Sequence, residues 1–120
     1  MMHTPNRLGG FTHTFTGIRL AWREANFRFH SVAALVALTL SWFLHISTTE
    51  LLFIMLAIGI VLTAEVFNSA LEEFCDHVTP EQHVNIGKIK DLAAGAVFLS
   101  SCTALVIGCI VFLPYLIAYL

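Results

Sequence analysis

Leu51-Leu52-Phe53-Ile54-Met55-Leu56-Ala57-Ile58-Gly59-Ile60-Val61-Leu62-Thr63-Ala64 carries no charge and runs directly into Glu65-Val66-Phe67-Asn68-Ser69-Ala70-Leu71-Glu72-Glu73-Phe74-Cys75-Asp76. The first part is apolar enough to enter a bilayer, and the second continues the same helix through a cluster of carboxylates. A carboxylate at membrane depth costs about 2.5–3.5 kcal/mol on insertion scales, so a cluster there marks a working site. At 3.6 residues per turn, Glu65, Asn68, Glu72 and Asp76 fall within an arc of roughly 80°. One helix thus presents a stripe of oxygen ligands to one partner. Glu73 lies about 80° round from Glu65 and reads as a solvated extra charge.

Working outward, Ser31 to Thr49 lacks Asp, Glu, Lys and Arg and is long enough to cross a hydrocarbon layer of about 30 Å. A second span covers 51–74. A third covers 92–120, uncharged throughout, with Pro114 near its end. The link around His45 to Glu50 is short, which makes the first two spans antiparallel neighbours. Asp76 to Asp91 forms a polar link containing Pro80. Ala93, Ala94, Gly95 and Ala96 open the third span with small side chains that would let helix backbones approach closely. The sequence predicts an all-α membrane protein with three transmembrane helices, forming one unit over residues 1–120.

Composition agrees. In 120 residues only 12% are charged, and the mean hydropathy is +0.81. A soluble domain of this size would need more polar surface. The formal net charge of −2 gives no reason to expect nucleic-acid binding. Cys75, Cys102 and Cys109 have no C-x-x-C spacing and read as small packing residues. The first thirty residues contain four arginines without a continuous apolar core, so no signal peptide is expected and insertion would rely on the later spans.

Arg7, Arg19, Arg23 and Arg28 precede the first span, and Lys88 and Lys90 lie between the second and third. With three spans those regions share one side, which the positive-inside rule makes cytoplasmic. The expected location is the inner (cytoplasmic) membrane, N-terminus inside and C-terminus outside. Residues 7–29 read as an amphipathic interfacial helix. Phe11, Phe15, Ile18, Trp22, Ala25 and Phe29 recur at steps of four and three, and Thr12, Thr16, Arg19, Arg23 and Asn26 fill another face.

Two buried carboxylates on one helix face repel unless a cation or proton intervenes. Hard oxygen donors suit Mg²⁺, which commonly takes one or two carboxylates plus phosphate oxygens. Lys90, entering the third span beside this cluster, is a membrane-interface anchor with a second possible role in neutralising phosphate. The phosphate loop G-x-x-x-x-G-K-[ST] is absent, since Ile89 follows Gly87-Lys88 and Gln82 stands where the first glycine would be. His13, His30, His45, His77 and His83 are scattered without metal-ligand spacing. Glu24, by spacing alone, is a surface carboxylate among arginines.

Glu24-Ala25-Asn26-Phe27-Arg28-Phe29-His30, Glu65 to Glu72 through Asp76, Thr79-Pro80-Glu81-Gln82-His83 and Lys90 to Val97 together resemble the prokaryotic diacylglycerol kinase family, in order and over nearly the whole chain. The resemblance implies a homotrimer of three-span subunits, each with a surface helix. It further implies transfer of the γ-phosphoryl of ATP, with Mg²⁺, to the hydroxyl of a membrane lipid, undecaprenol or diacylglycerol, at the cytoplasmic interface. By position Glu65 resembles the catalytic base. Glu24 and Glu72 resemble the carboxylates for metal and nucleotide, and Glu81, Gln82, His83, Lys90 and Asp91 the nucleotide-gripping positions. Asn68 and Asp76 match supporting polar positions. His13 and Gln82 replace residues that are often aromatic in the family, so adenine contacts through them are not expected. His30, closing the N-F-R-x-H run, resembles the undecaprenol kinase branch. Members acting on diacylglycerol more often carry an acid there. The alternative of another class is a small ion-coupled transporter using the intramembrane glutamates.

Overall fold

A computed structural model describes residues 7–78 and 84–120. Within them the chain forms four helices: α1 (Arg7–Ala21), α2 (Ala25–Leu44), α3 (Thr48–Val78) and α4 (Val84–Ala118). The described residues contain no strand, so the all-α expectation holds. The last three helices are each long and apolar enough to cross a membrane. At 1.5 Å per residue α3 and α4 are about 46 and 52 Å long, more than the roughly 30 Å hydrocarbon layer requires. Their ends therefore extend into the interfacial regions, which is how the carboxylate segment remains helical beyond the apolar run.

The central element is α3, with α4 packed along it, α2 on it more lightly and α1 resting against it. Its buried positions are Ile54, Ala57, Val61, Glu65 and Cys75, with Asn68 and Glu72 half-buried. These seven recur every three or four residues, so the oxygen stripe is the continuation of the helix's inward apolar face. On α2 the matching inward face is Phe27, His30, Ala34, Ala37, Ser41 and Leu44. Because α2 touches α4 only slightly, a cavity of about 570 Å³ opens between α2, α3 and α4. Outward faces carry large apolar side chains, with Trp42 81% exposed, as expected where lipid rather than water is the surrounding medium.

The helix expected over 7–29 is two helices. α1 stops at Ala21, and residues 25–29 open α2. The corner contains neither Gly nor Pro. Arg23 and Glu24 donate their N–H groups to the carbonyls of Leu20 and Ala21 at 3.1 and 2.9 Å, tightening the last turn. Glu24 then adopts extended backbone and caps α2. Burial drives the change of direction: Phe27 is buried while Phe29 is 69% exposed, so the apolar face shifts phase after Trp22. Trp22 and Phe27 meet edge-on across the corner at 6.4 Å. Of the small residues opening the third span, Ala93 is buried, whereas Ala94, Gly95 and Ala96 are exposed.

The opposite end is closed by two local devices. His45 ends α2 in the left-handed region, φ 54° and ψ 47°, and the N–H groups of His45 and Ile46 return to Trp42 and Ser41 at 3.4 and 3.3 Å. Ser47 and Glu50 form a reciprocal capping box at the start of α3, with bonds of 3.0 and 3.2 Å. Glu50 also accepts the Tyr115 hydroxyl at 2.5 Å, tying α3 to the end of α4. A non-glycine residue in the left-handed region costs about 1–2 kcal/mol, of which glycine's greater unfolded freedom offsets part. His45→Gly is therefore expected to raise stability by about 0.5–1 kcal/mol, read as a higher unfolding midpoint by circular dichroism in micelles.

Candidate active site

The stripe on α3 carries three polar pairs, one to α2, one within α3 and one to α4. Deepest is Glu65, 2% exposed. Its Oε1 lies 3.1 Å from His30 Nε2 on α2. The contact sets an imidazole nitrogen of α2 against a carboxylate oxygen of α3. The next polar residue is Asn68, whose Nδ2 donates to Glu72 Oε1 at 3.2 Å. Nearest the polar end, Lys90 Nζ on α4 donates to Asp76 Oδ1 at 2.6 Å. The stripe read from spacing is thus a set of groups each joined to a partner.

Asn68 shows that this set is unfinished. Its Oδ1 is buried without a hydrogen-bond partner. The amide orientation is fixed, because rotating it would face oxygen against the Glu72 carboxylate, an acceptor only. An orphaned buried amide oxygen costs about 1–3 kcal/mol, and a cation or a hydroxyl donor at this point would recover it. The donors on this face, an amide oxygen and carboxylates, are the hard oxygens that Mg²⁺ takes. The residues present fit such an ion.

The other expected positions lie as follows. Glu24 is exposed at the α1–α2 corner, and its side chain makes no capping hydrogen bond, which leaves both oxygens free for a ligand. No described contact links Glu24 to Glu72. Among the described residues no group of three or more His, Cys, Asp or Glu is placed to hold a metal ion, so an ion here would need phosphate oxygens to complete its shell. Asp91 and Glu73 are both exposed. Glu81, Gln82 and His83 lie outside the described residues.

Sequence reasoning left His30 outside the site, as a branch marker without a role. Its signal was present but indirect. His30 stands three positions after buried Phe27 and four before Ala34, on the inward face of α2. It also lines the cavity, together with Ala33, Ala37, Ile58, Val61 and Gly108. Ile54, Ala57 or Ile58, and Val61 climb α3 at steps of three and four toward Glu65. On α3 the wall ends at Val61, one turn before the buried carboxylate, and His30 in the opposite wall touches that carboxylate.

Comparison with known proteins places the chain in a family. Residues 12–112 match the family model described as prokaryotic diacylglycerol kinase. The chain is 36% identical over 107 residues to the undecaprenol kinase of Bacillus subtilis (strain 168), covering 88% of this chain and 87% of that one. It is 30% identical over 113 residues to the diacylglycerol kinase of Escherichia coli (strain K12), covering 88% of this chain and 93% of that one. The match spans α2, α3 and most of α4, the helices that build the paired stripe, and the chain therefore belongs to the prokaryotic diacylglycerol kinase family.

Proposed function

We propose that this chain transfers the γ-phosphoryl group of ATP to the hydroxyl of a membrane lipid, with Mg²⁺, at the cytoplasmic face of the cell membrane. The observation that carries the reading is Glu65, a buried carboxylate one turn beyond Val61 and in contact with His30, both of which line an apolar cavity, on the helix face that also bears Asn68 and Glu72. Phosphoryl transfer asks a protein for alignment and charge neutralisation more than for covalent chemistry. A cavity for a hydrocarbon chain, a base at its head and a cation nearby supply those needs. The transporter alternative loses its ground, because the family match covers the carboxylate helix itself.

In this mechanism Glu65 accepts the proton of the lipid alcohol as the alcohol oxygen bonds to the γ-phosphorus. The bond to the β–γ bridging oxygen breaks, and its electron pair leaves with ADP. Glu24 and Glu72 would hold Mg²⁺, which would supply positive charge to offset that of the phosphates. Lys90 adds positive charge beside the transferring group, oriented by Asp76. Asn68 holds Glu72 through its Nδ2. Glu81, Gln82, His83 and Asp91 complete the grip on the nucleotide. The protein works as a homotrimer with α1 lying at the cytoplasmic interface, the N-terminus inside and the C-terminus outside.

Undecaprenol is the proposed acceptor, supported by His30 in the N-F-R-x-H run and by the 36% identity to an undecaprenol kinase. Purified protein in micelles, given Mg²⁺, labelled ATP and a panel of lipid alcohols, is expected to label undecaprenol faster than diacylglycerol. The reverse order would reassign the acceptor. No labelled lipid from any alcohol would overturn the kinase reading.

A further inference from the structure

We propose that His30 is a positioning residue for Glu65, fixing which carboxylate oxygen faces the acceptor. This inference rests on the lipid-kinase reading for its functional consequence, but the contact itself does not.

A buried glutamate on α3 has rotamer freedom that the surrounding apolar side chains do not remove. Ile54, Ala57 and Val61 offer it no hydrogen bond, and the polar pairs further along the stripe are already formed, Asn68 to Glu72 and Asp76 to Lys90. The contact with His30 Nε2, at 3.1 Å, is the ion-pair contact of the Glu65 side chain among the described residues. It comes from a different helix, thirty-five positions earlier in the chain, so it is a tertiary constraint. With Oε1 engaged by Nε2, Oε2 is left for the acceptor hydroxyl.

The position of His30 in the cavity wall adds the second half of the argument. His30 lines the cavity, with a side chain 20% exposed, while the Glu65 side chain is 3% exposed. Phe29, also in the wall, meets the imidazole edge-on at 5.4 Å and limits its rotation. A lipid hydroxyl arriving along the cavity therefore meets a carboxylate whose orientation has been set before binding. Such preorganisation matters because a displacement of about 1 Å in a reacting group costs about 100-fold in rate. A merely structural histidine would satisfy Glu65 equally well but would not favour one oxygen for the acceptor.

The test pairs two substitutions with a spectroscopic readout. His30→Leu removes the donor. His30→Gln returns a side-chain N–H of similar reach. If His30 positions the base, His30→Leu lowers kcat about 100-fold with KM for ATP unchanged, and His30→Gln recovers most of the loss. Equal helical content and elution volume of the two variants keep folding out of the comparison. Independently of activity, nuclear magnetic resonance of ¹⁵N-histidine protein in micelles should show a downfield His30 Nε2–H signal that moves upfield in Glu65→Gln. Absence of that signal overturns the pairing. An active wild type with His30→Leu at parity, or His30→Gln no better than His30→Leu, overturns the positioning role alone. A wild type inert toward every lipid alcohol overturns the kinase reading and the role together.

Discussion

Glu65→Gln is expected to lower lipid phosphorylation by about 10²–10⁴-fold, the usual contribution of a positioned general base. The substitution keeps the shape of the side chain, and the carbonyl of the new amide would still accept from His30 Nε2. The buried site is therefore not left with an unpaired histidine donor, and the fold survives. What disappears is the capacity to take a proton. Because the groups proposed to hold the nucleotide lie further toward the polar end of α3 than Glu65, KM for ATP should hardly change. The decisive comparison is single-turnover transfer from labelled ATP to lipid, alongside ATP binding measured directly. Near-normal transfer by the variant would remove Glu65 from the mechanism. Loss of both transfer and ATP binding would place it with the nucleotide ligands instead.

The sequence was most informative where one helix could be read by itself. The charge-free runs located three membrane helices, and the spacing of Glu65, Asn68, Glu72 and Asp76 put them on one side of α3, where Glu65, Asn68 and Glu72 face inward and Asp76 is exposed. Helix ends were less legible. Hydropathy marks where the bilayer needs apolar residues, not where helix formation stops. Thus α3 continues to Val78 and α4 begins at Val84, through residues that read as polar link. The α1–α2 corner was hidden for a related reason. No local breaker marks Trp22 to Glu24, and the turn follows from burial of Phe27, a tertiary effect that a continued four-and-three pattern through Phe29 conceals. Pairings between helices were hidden as well. Periodicity shows that His30 faces inward on α2 but says nothing of its height against α3, so the contact with Glu65 appears only once the helices are docked. Glu50 with Tyr115 is a second instance, joining positions at the far ends of two helices.

Lys90 illustrates how docking changes the reading of a side chain, and it carries the second large prediction. As a sequence feature it is a lysine at a membrane boundary, where snorkelling to the interface is the ordinary role. In the folded chain its ammonium is held at 2.6 Å by Asp76 across the gap between α3 and α4, with Glu72 close enough to act on it electrostatically. In the proposed mechanism this ammonium stands where phosphate charge would gather. Lys90→Met should therefore lower kcat by about 10²–10³-fold, as removal of one preorganised donor from a transition state does, and raise KM for ATP as well. Lys90→Arg keeps the charge but replaces a compact donor with a planar fork and should recover only part of the rate. Asp76→Asn leaves the ammonium in place without its tether and should cost less, about tenfold. Because Asp76 acts through Lys90, the double variant Asp76→Asn/Lys90→Met should be no worse than Lys90→Met alone. Steady-state kinetics of the four variants decide the matter. Full additivity would mean that the two residues serve separate tasks, and unchanged kcat in Lys90→Met would return the lysine to the role of an interface anchor.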